Sequence, residues 1–170
     1  MKWGIRSLFF SALLVSCQRY PGPPDYVCMQ SELVGYAQDV AKTCGLHLLL
    51  VDNVTPSPDV SFCMVFTSTR PLILEEARAV SEGIVSNFQV WLSKNPAVCR
   101  YRSSKRVDLS EIGLKISFWD KDMNRIPMPY IAEVVFADGQ FYYFQKDEVS
   151  ERIRLVLKNR HGSNPGNSQG

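Results

Sequence analysis

The residues with the types and spacing to do chemistry fall into a few small groups. Asp120, Asp122 and Asn124 alternate as the first ligands of a calcium loop do. Such a loop needs glycine at its sixth position and glutamate at its twelfth, where this chain has Arg125 and Ile131, so the run reads as a turn. Cys44, His47 and Cys63 offer a Cys-x-x-His pair, but a tetrahedral metal site takes four ligands and no second compact pair follows. A serine or cysteine nucleophile needs a base beside it, and the chain's 2 histidines are His47, set in an apolar run, and His161, at the head of a polar tail. Paired carboxylates for hydrolysis would have to come from Asp120, Asp122 and Glu133, with no predicted apolar cleft to separate their pKa values. No catalytic residue, metal ligand or cofactor emerges from these groups.

The N-terminus carries chemistry of a different kind. Lys2 and Arg6 precede an apolar run, Leu8 to Val15, and the small Ser16 comes just before Cys17, which is the three-part layout of a secretory signal. Eight helical residues reach only about 12 Å, against roughly 30 Å of bilayer hydrocarbon, so the run is too short to be an ordinary transmembrane helix. Leu14-Val15-Ser16-Cys17 resembles the lipobox of bacterial lipoproteins. The resemblance implies cleavage before Cys17, a diacylglycerol on its sulfur and an acyl chain such as palmitate on the new amine. The expected organisation is then a signal peptide (1–16), a lipidated cysteine with a proline-rich tether (17–24), one domain (25–160) and a disordered tail (161–170). The expected location is the bacterial cell envelope, anchored to the inner or outer membrane and facing the periplasm or the surface. Each buried methylene contributes about 0.8 kcal/mol, so two or three acyl chains would hold the protein there essentially permanently.

Of 19 basic residues, Lys2 and Arg6 leave with the signal, and 17 then balance 17 acidic ones. A neutral body gives no global electrostatic reason to bind nucleic acid, and leaves membrane attachment to the lipid. With Cys17 reserved, Cys28, Cys44, Cys63 and Cys99 remain as possible disulfide partners in an exported protein. Cys28 with Cys44 is excluded if both lie on one helix, since sixteen residues span about 24 Å and bridging needs less than roughly 7 Å. Arg100, Arg102, Lys105 and Arg106 form a basic loop around Tyr101, either simply solvated or suited to lipid phosphate, lipopolysaccharide or an acidic partner.

These residues depend on the elements that carry them. At 45% hydrophobic and 21% charged, the chain has the composition of one globular domain. Pro21, Gly22, Pro23 and Pro24 make a stiff spacer, and Asp25 is placed to cap a helix from Tyr26 to Cys44 that Gly45 stops. Leu46 to Val51 and Val60 to Thr67 read as strands, with a proline-broken loop between them. Thr69 to Asn95 carries a strong helical stripe of Ile73, Ala77, Val80, Ile84, Phe88 and Trp91, ended by Pro96. Ala97 to Glu111 reads as irregular. Ile112 to Trp119 alternates as a strand, and Tyr130 to Ala137 turns through Asp138-Gly139 into Gln140 to Gln145, an antiparallel meander. Asp147 to Asn159, with Val149, Ile153 and Val156 inward, reads as a closing helix. The expected class is α+β: about five mainly antiparallel strands in the order α-β-β-α-β-β-β-α, packed with three helices.

Within Arg70 to Phe144, the runs LEEAR, GLKISFWDKD and Pro-Tyr-Ile-Ala before the hairpin resemble small exported proteins of chlamydia-like bacteria that have no assigned activity. The Asp-Gly turn pairs Phe136 with Phe141 and Val134 with Tyr143 on one face. Glu133, Val135, Tyr142 and Phe144 then share the other face, joined by Trp119. Unless one of the helices crosses over to cover it, this face leaves large aromatic groups exposed, and such groups often mark recognition surfaces. The expected function is a non-enzymatic, lipid-anchored envelope module that binds or scaffolds an envelope protein or polymer through this face. The alternatives are a periplasmic hydrolase acting on an envelope polymer and a disulfide-linked structural component.

Overall fold

The computed structural model describes residues 24–53, 62–101, 107–147 and 150–161. The signal, Cys17, residues 18–23 of the tether, the Pro56 and Pro58 loop, Arg102, Lys105, Arg106, Val149 and the tail from residue 162 lie outside them, and the expected Asp25 cap lies outside the described side chains.

Helix α1 (Pro24–Cys44) buries Met29, Leu33, Ala37 and Ala41, one residue per turn. It stops where Gly45 turns to φ +66°, a conformation that costs glycine least, and the Leu46 N–H closes back on the Ala41 carbonyl at 2.8 Å. Strands β1 (His47–Asn53) and β2 (Phe62–Ser68) then pair antiparallel.

Helix α2 (Leu74–Lys94) starts later than its apolar stripe suggests. Ile73 is still extended and gives its N–H to the Glu76 carboxylate at 3.2 Å, while the neighbouring Leu72 carbonyl receives the Ile131 N–H. The helix returns the chain across the sheet, so that β3 (Ile112–Phe118) lies parallel to β2. Strands β4 (Glu133–Ala137), β5 (Gln140–Lys146) and β6 (Ile153–Arg160) follow antiparallel, in the spatial order β1-β2-β3-β4-β5-β6. The expected meander and the 134/143 and 136/141 pairings are present. The architecture is α+β with a six-stranded, mostly antiparallel sheet.

The helices share one face of this sheet. Phe62, Met64 and Phe66 of β2, Ile112, Leu114, Ile116 and Phe118 of β3, Val134 and Phe136 of β4, and Phe141 and Tyr143 of β5 are buried beneath them. Tyr36 of α1 lies between Phe88 and Trp91 of α2, with ring centroids 5.3 and 4.7 Å away, which locks the two helices together. The Tyr143 hydroxyl meets Ser81 Oγ of α2 at 3.2 Å, so the buried phenol is satisfied and fixes α2 over β5.

Two expectations are corrected. Ala97 to Glu111 is not wholly irregular: α3 (Pro96–Tyr101) and a 3-10 turn (Leu109–Glu111) occupy its ends. Pro96 ends α2 and also starts α3, because a proline N–H is not needed in a first helical turn and Asn95 Oδ1 accepts from Ala97 N and Val98 N. The closing helix over Asp147 to Asn159 is instead strand β6. Its residues fit both periods, since Ile153, Leu155 and Leu157 alternate as a strand while Val149, Ile153 and Val156 recur as a helix. The ladder along β5 decides between them, supplying partners from Gln140↔Arg160 to Lys146↔Ile153.

Candidate functional site

Among the described residues, no helix covers the sheet face opposite α1 and α2. Strand pairing, with a bulge at Val156 of β6, puts Val65, Lys115, Val135, Tyr142 and Lys158 in one row across it, and Thr67, Ser117, Glu133, Phe144 and Leu155 in the next. Val65, Val135, Tyr142 and Phe144 are half-buried by their neighbours within the sheet. Leu155, on the edge strand, is exposed.

One carboxylate organises the centre of this face. Glu133 Oε2 lies 2.9 Å from Arg125 Nη2 and 3.2 Å from Lys115 Nζ, and accepts from Ser117 Oγ at 3.3 Å. Only 13% of the Glu133 side chain is exposed, so it serves as a structural anion more than as a group offered to a ligand. Arg125 also stacks over the Trp119 ring, 4.1 Å from its centroid, and donates through Nη1 to the Ala132 carbonyl at 3.2 Å. Trp119 is held at the end of β3 by its N–H to the Ser68 carbonyl and by an antiparallel bridge to Arg125. At the other side of the face, Lys158 Nζ stands 5.2 Å from the Tyr142 centroid.

The structure therefore gathers Trp119, Glu133, Val135, Tyr142 and Phe144 on one surface and adds Arg125, Lys115 and Ser117 to them. Sequence reasoning missed Arg125 because it sits in the turn between strands, where no alternation assigns it a face. Strand alternation puts Lys115 and Ser117 on this side of β3, but their convergence on Glu133 depends on the β3–β4 register. The other positions are dispersed. Arg100 is exposed on α3. Cys28 and Cys44 lie on α1, Cys63 on the open face of β2, and Cys99 on α3 with its thiol 3.5 Å from the Ser93 carbonyl; none of the four is in a disulfide.

Asp120 spends its carboxylate on its own turn. Oδ1 accepts from Asp122 N at 2.9 Å and Asn124 N at 2.8 Å, and the Asn124 backbone bond is the main cause that holds the Asp120 carboxyl below the usual range. Asp122 is exposed, and Glu133 is committed to its two cations, so these three carboxylates do not form an acid–base pair. Among the described residues no three metal-ligating side chains cluster.

A groove of about 390 Å³ runs elsewhere, between α1 and α2, with Tyr36, Val40, Cys44, Val80 and Gly83 among its lining. Burial pushes the Cys44 thiol up, and burial together with the Cys44 charge pushes Tyr36 up to about 12. Both changes disfavour the ionised forms that nucleophilic chemistry would use.

No family model, curated protein or solved structure matches this chain.

Proposed function

We propose that the protein is a lipid-anchored binding module of a bacterial cell envelope, and that the open sheet face docks a partner protein. The observation that carries this reading is the one-sided architecture: the described helices cover one sheet face, while Val135, Tyr142 and Phe144 stay half-buried on the other beside Trp119 and Arg125. Aromatic and arginine side chains, with an apolar centre and a charged border, are the composition of protein recognition surfaces. The Leu14-Val15-Ser16-Cys17 pattern supports the anchor. Among the described residues no helix is long and apolar enough to cross a membrane.

In-cell crosslinking followed by capture from membranes tests this reading. The unaltered chain is expected to yield a discrete adduct that Trp119→Ala with Tyr142→Ala removes. Cys17→Ser is expected to abolish acyl labelling. An adduct unchanged by the double substitution would refute the face as the docking site, and labelling retained by Cys17→Ser would refute the anchor.

A further inference from the structure

Strand β6 is an edge of the sheet, and no described element pairs along its outer side. An outer edge presents a row of backbone N–H and C=O groups to any extended chain that approaches. Proteins commonly protect such edges with lysine or a bulge, and β6 has both: Lys158, and a register shift opposite Tyr143 and Phe144. Protection alone does not account for the rest of the strand. Ile153, Leu155 and Val156 are 42, 49 and 37% exposed, three large apolar side chains within four residues. An edge built only to repel other strands would not show them.

Charge selects the occupant. The strand itself carries Arg154, Lys158 and Arg160 and no acidic residue, and Arg152 flanks it, while Asp147, Glu148 and Glu151 precede it in the sequence. Arg154 reaches Asp147 only at 3.8 Å and with more than half its side chain exposed, a contact of little strength. Two copies of β6 would bring like charges together, so a second copy of this chain is disfavoured. An acidic strand is favoured on the same grounds.

We propose that β6 receives an extended, acidic segment of a partner protein as a seventh strand. The backbone ladder holds the segment, its acidic side chains meet the cations, and its alternate apolar residues pack on Leu155 and Ile153. Leu155 pairs with Phe144 and Lys158 with Tyr142, so the added strand continues the open face. The inference rests on the reading of that face as a docking surface and specifies the chemistry of what docks there.

The test uses the 170-residue chain and two synthetic decapeptides, one alternating glutamate with valine and one alternating lysine with valine. Hydrogen exchange of backbone amides and fluorescence anisotropy are the readouts. The glutamate peptide is expected to slow exchange across Ile153–Arg160 and to bind at least tenfold more tightly than the lysine peptide. Arg152→Glu with Lys158→Glu alters exposed side chains only and is expected to reverse that preference, and Val156→Pro is expected to weaken both. Protection at Trp119 and Tyr142 without protection of β6 would overturn strand addition while leaving the open-face reading intact. Equal binding of the two peptides, or binding of neither, would also overturn it. Concentration-dependent dimerisation that protects β6 without peptide would assign the edge to a second copy instead.

Discussion

Arg125 and Glu133 meet at 2.9 Å on the sheet face opposite the described helices, and the same guanidinium stacks on Trp119. The pair joins the turn after β3 to the first residue of β4, and so fixes the aromatic group that the proposed docking surface depends on. Lys115 touches the same carboxylate oxygen but has 43% of its side chain exposed, against 20% for Arg125.

Arg125 should therefore be the stronger partner. In a double-mutant cycle, Arg125 with Glu133 is expected to couple by about 1–2 kcal/mol, and Lys115 with Glu133 by less than about 0.5 kcal/mol. Urea unfolding measures both. Glu133→Gln should also change tryptophan emission, because Arg125 loses the carboxylate that holds it over Trp119. Equal couplings would mean that the Arg125 contact is no better shielded than the Lys115 one.

Asn95 is the pivot between α2 and α3. Its N–H closes α2 on the Trp91 carbonyl, and its Oδ1 caps two N–H groups of α3. Asn95→Ala is expected to cost about 1 kcal/mol and Asn95→Asp much less, since aspartate retains the accepting oxygen. Thermal unfolding of the two variants distinguishes cap loss from any effect on the longer contact to Glu32, which is 3.4 Å through Nδ2.

The places where sequence and structure agree and disagree have physical causes. The alternation of Ile112, Leu114, Ile116 and Phe118 and the Asp138-Gly139 turn set β3, β4 and β5 and put Tyr142 and Phe144 opposite the buried Phe141 and Tyr143. Those signals are local, being a period of two and a turn that favours positive φ, and φ is +51° at Asp138 and +72° at Gly139. The sequence of β6 reads as a helix because its apolar residues fit two periods and its partner strand lies across a turn. Arg125 was missed because a loop residue has no periodicity. Position in the fold, and not residue type, made it part of the site.

Two glycines should respond to alanine in opposite directions. Gly83 lies inside α2, and a β-carbon there would meet nothing within 4 Å, so Gly83→Ala is expected to stabilise by about 0.5–1 kcal/mol through the lower entropy of the unfolded chain. Gly45 also has open space, but its φ of +66° makes Gly45→Ala cost about 1 kcal/mol. Chemical denaturation of both single variants checks this, and equal changes would show that conformation does not set the difference. Gly83 lines the groove between α1 and α2, so its alanine variant narrows that groove without disturbing the core.

The half-buried phenol of Tyr36 and the buried one of Tyr143 should set an alkaline limit to stability. Burial raises both, Tyr36 to about 12, and for Tyr143 the nearby Glu82 charge adds to the rise while the Ser81 hydrogen bond opposes it. A tyrosine in the unfolded chain ionises near pH 10, so the folded state holds these protons more tightly. The stability they contribute is fully present below about pH 10 and is lost as the pH rises toward the folded values, because the unfolded state then releases protons that the folded state retains. Urea midpoints measured from pH 8 to 11.5 should fall above pH 10. Tyr36→Phe should flatten that fall, because phenylalanine keeps the ring between Phe88 and Trp91 and removes the ionisable group. Tyr143→Phe should flatten it as well, but start from a stability lower by about 1 kcal/mol, because the buried hydrogen bond to Ser81 is lost and Ser81 keeps only its bond to the Arg78 carbonyl. An alkaline slope left unchanged by both substitutions would assign the loss to other groups.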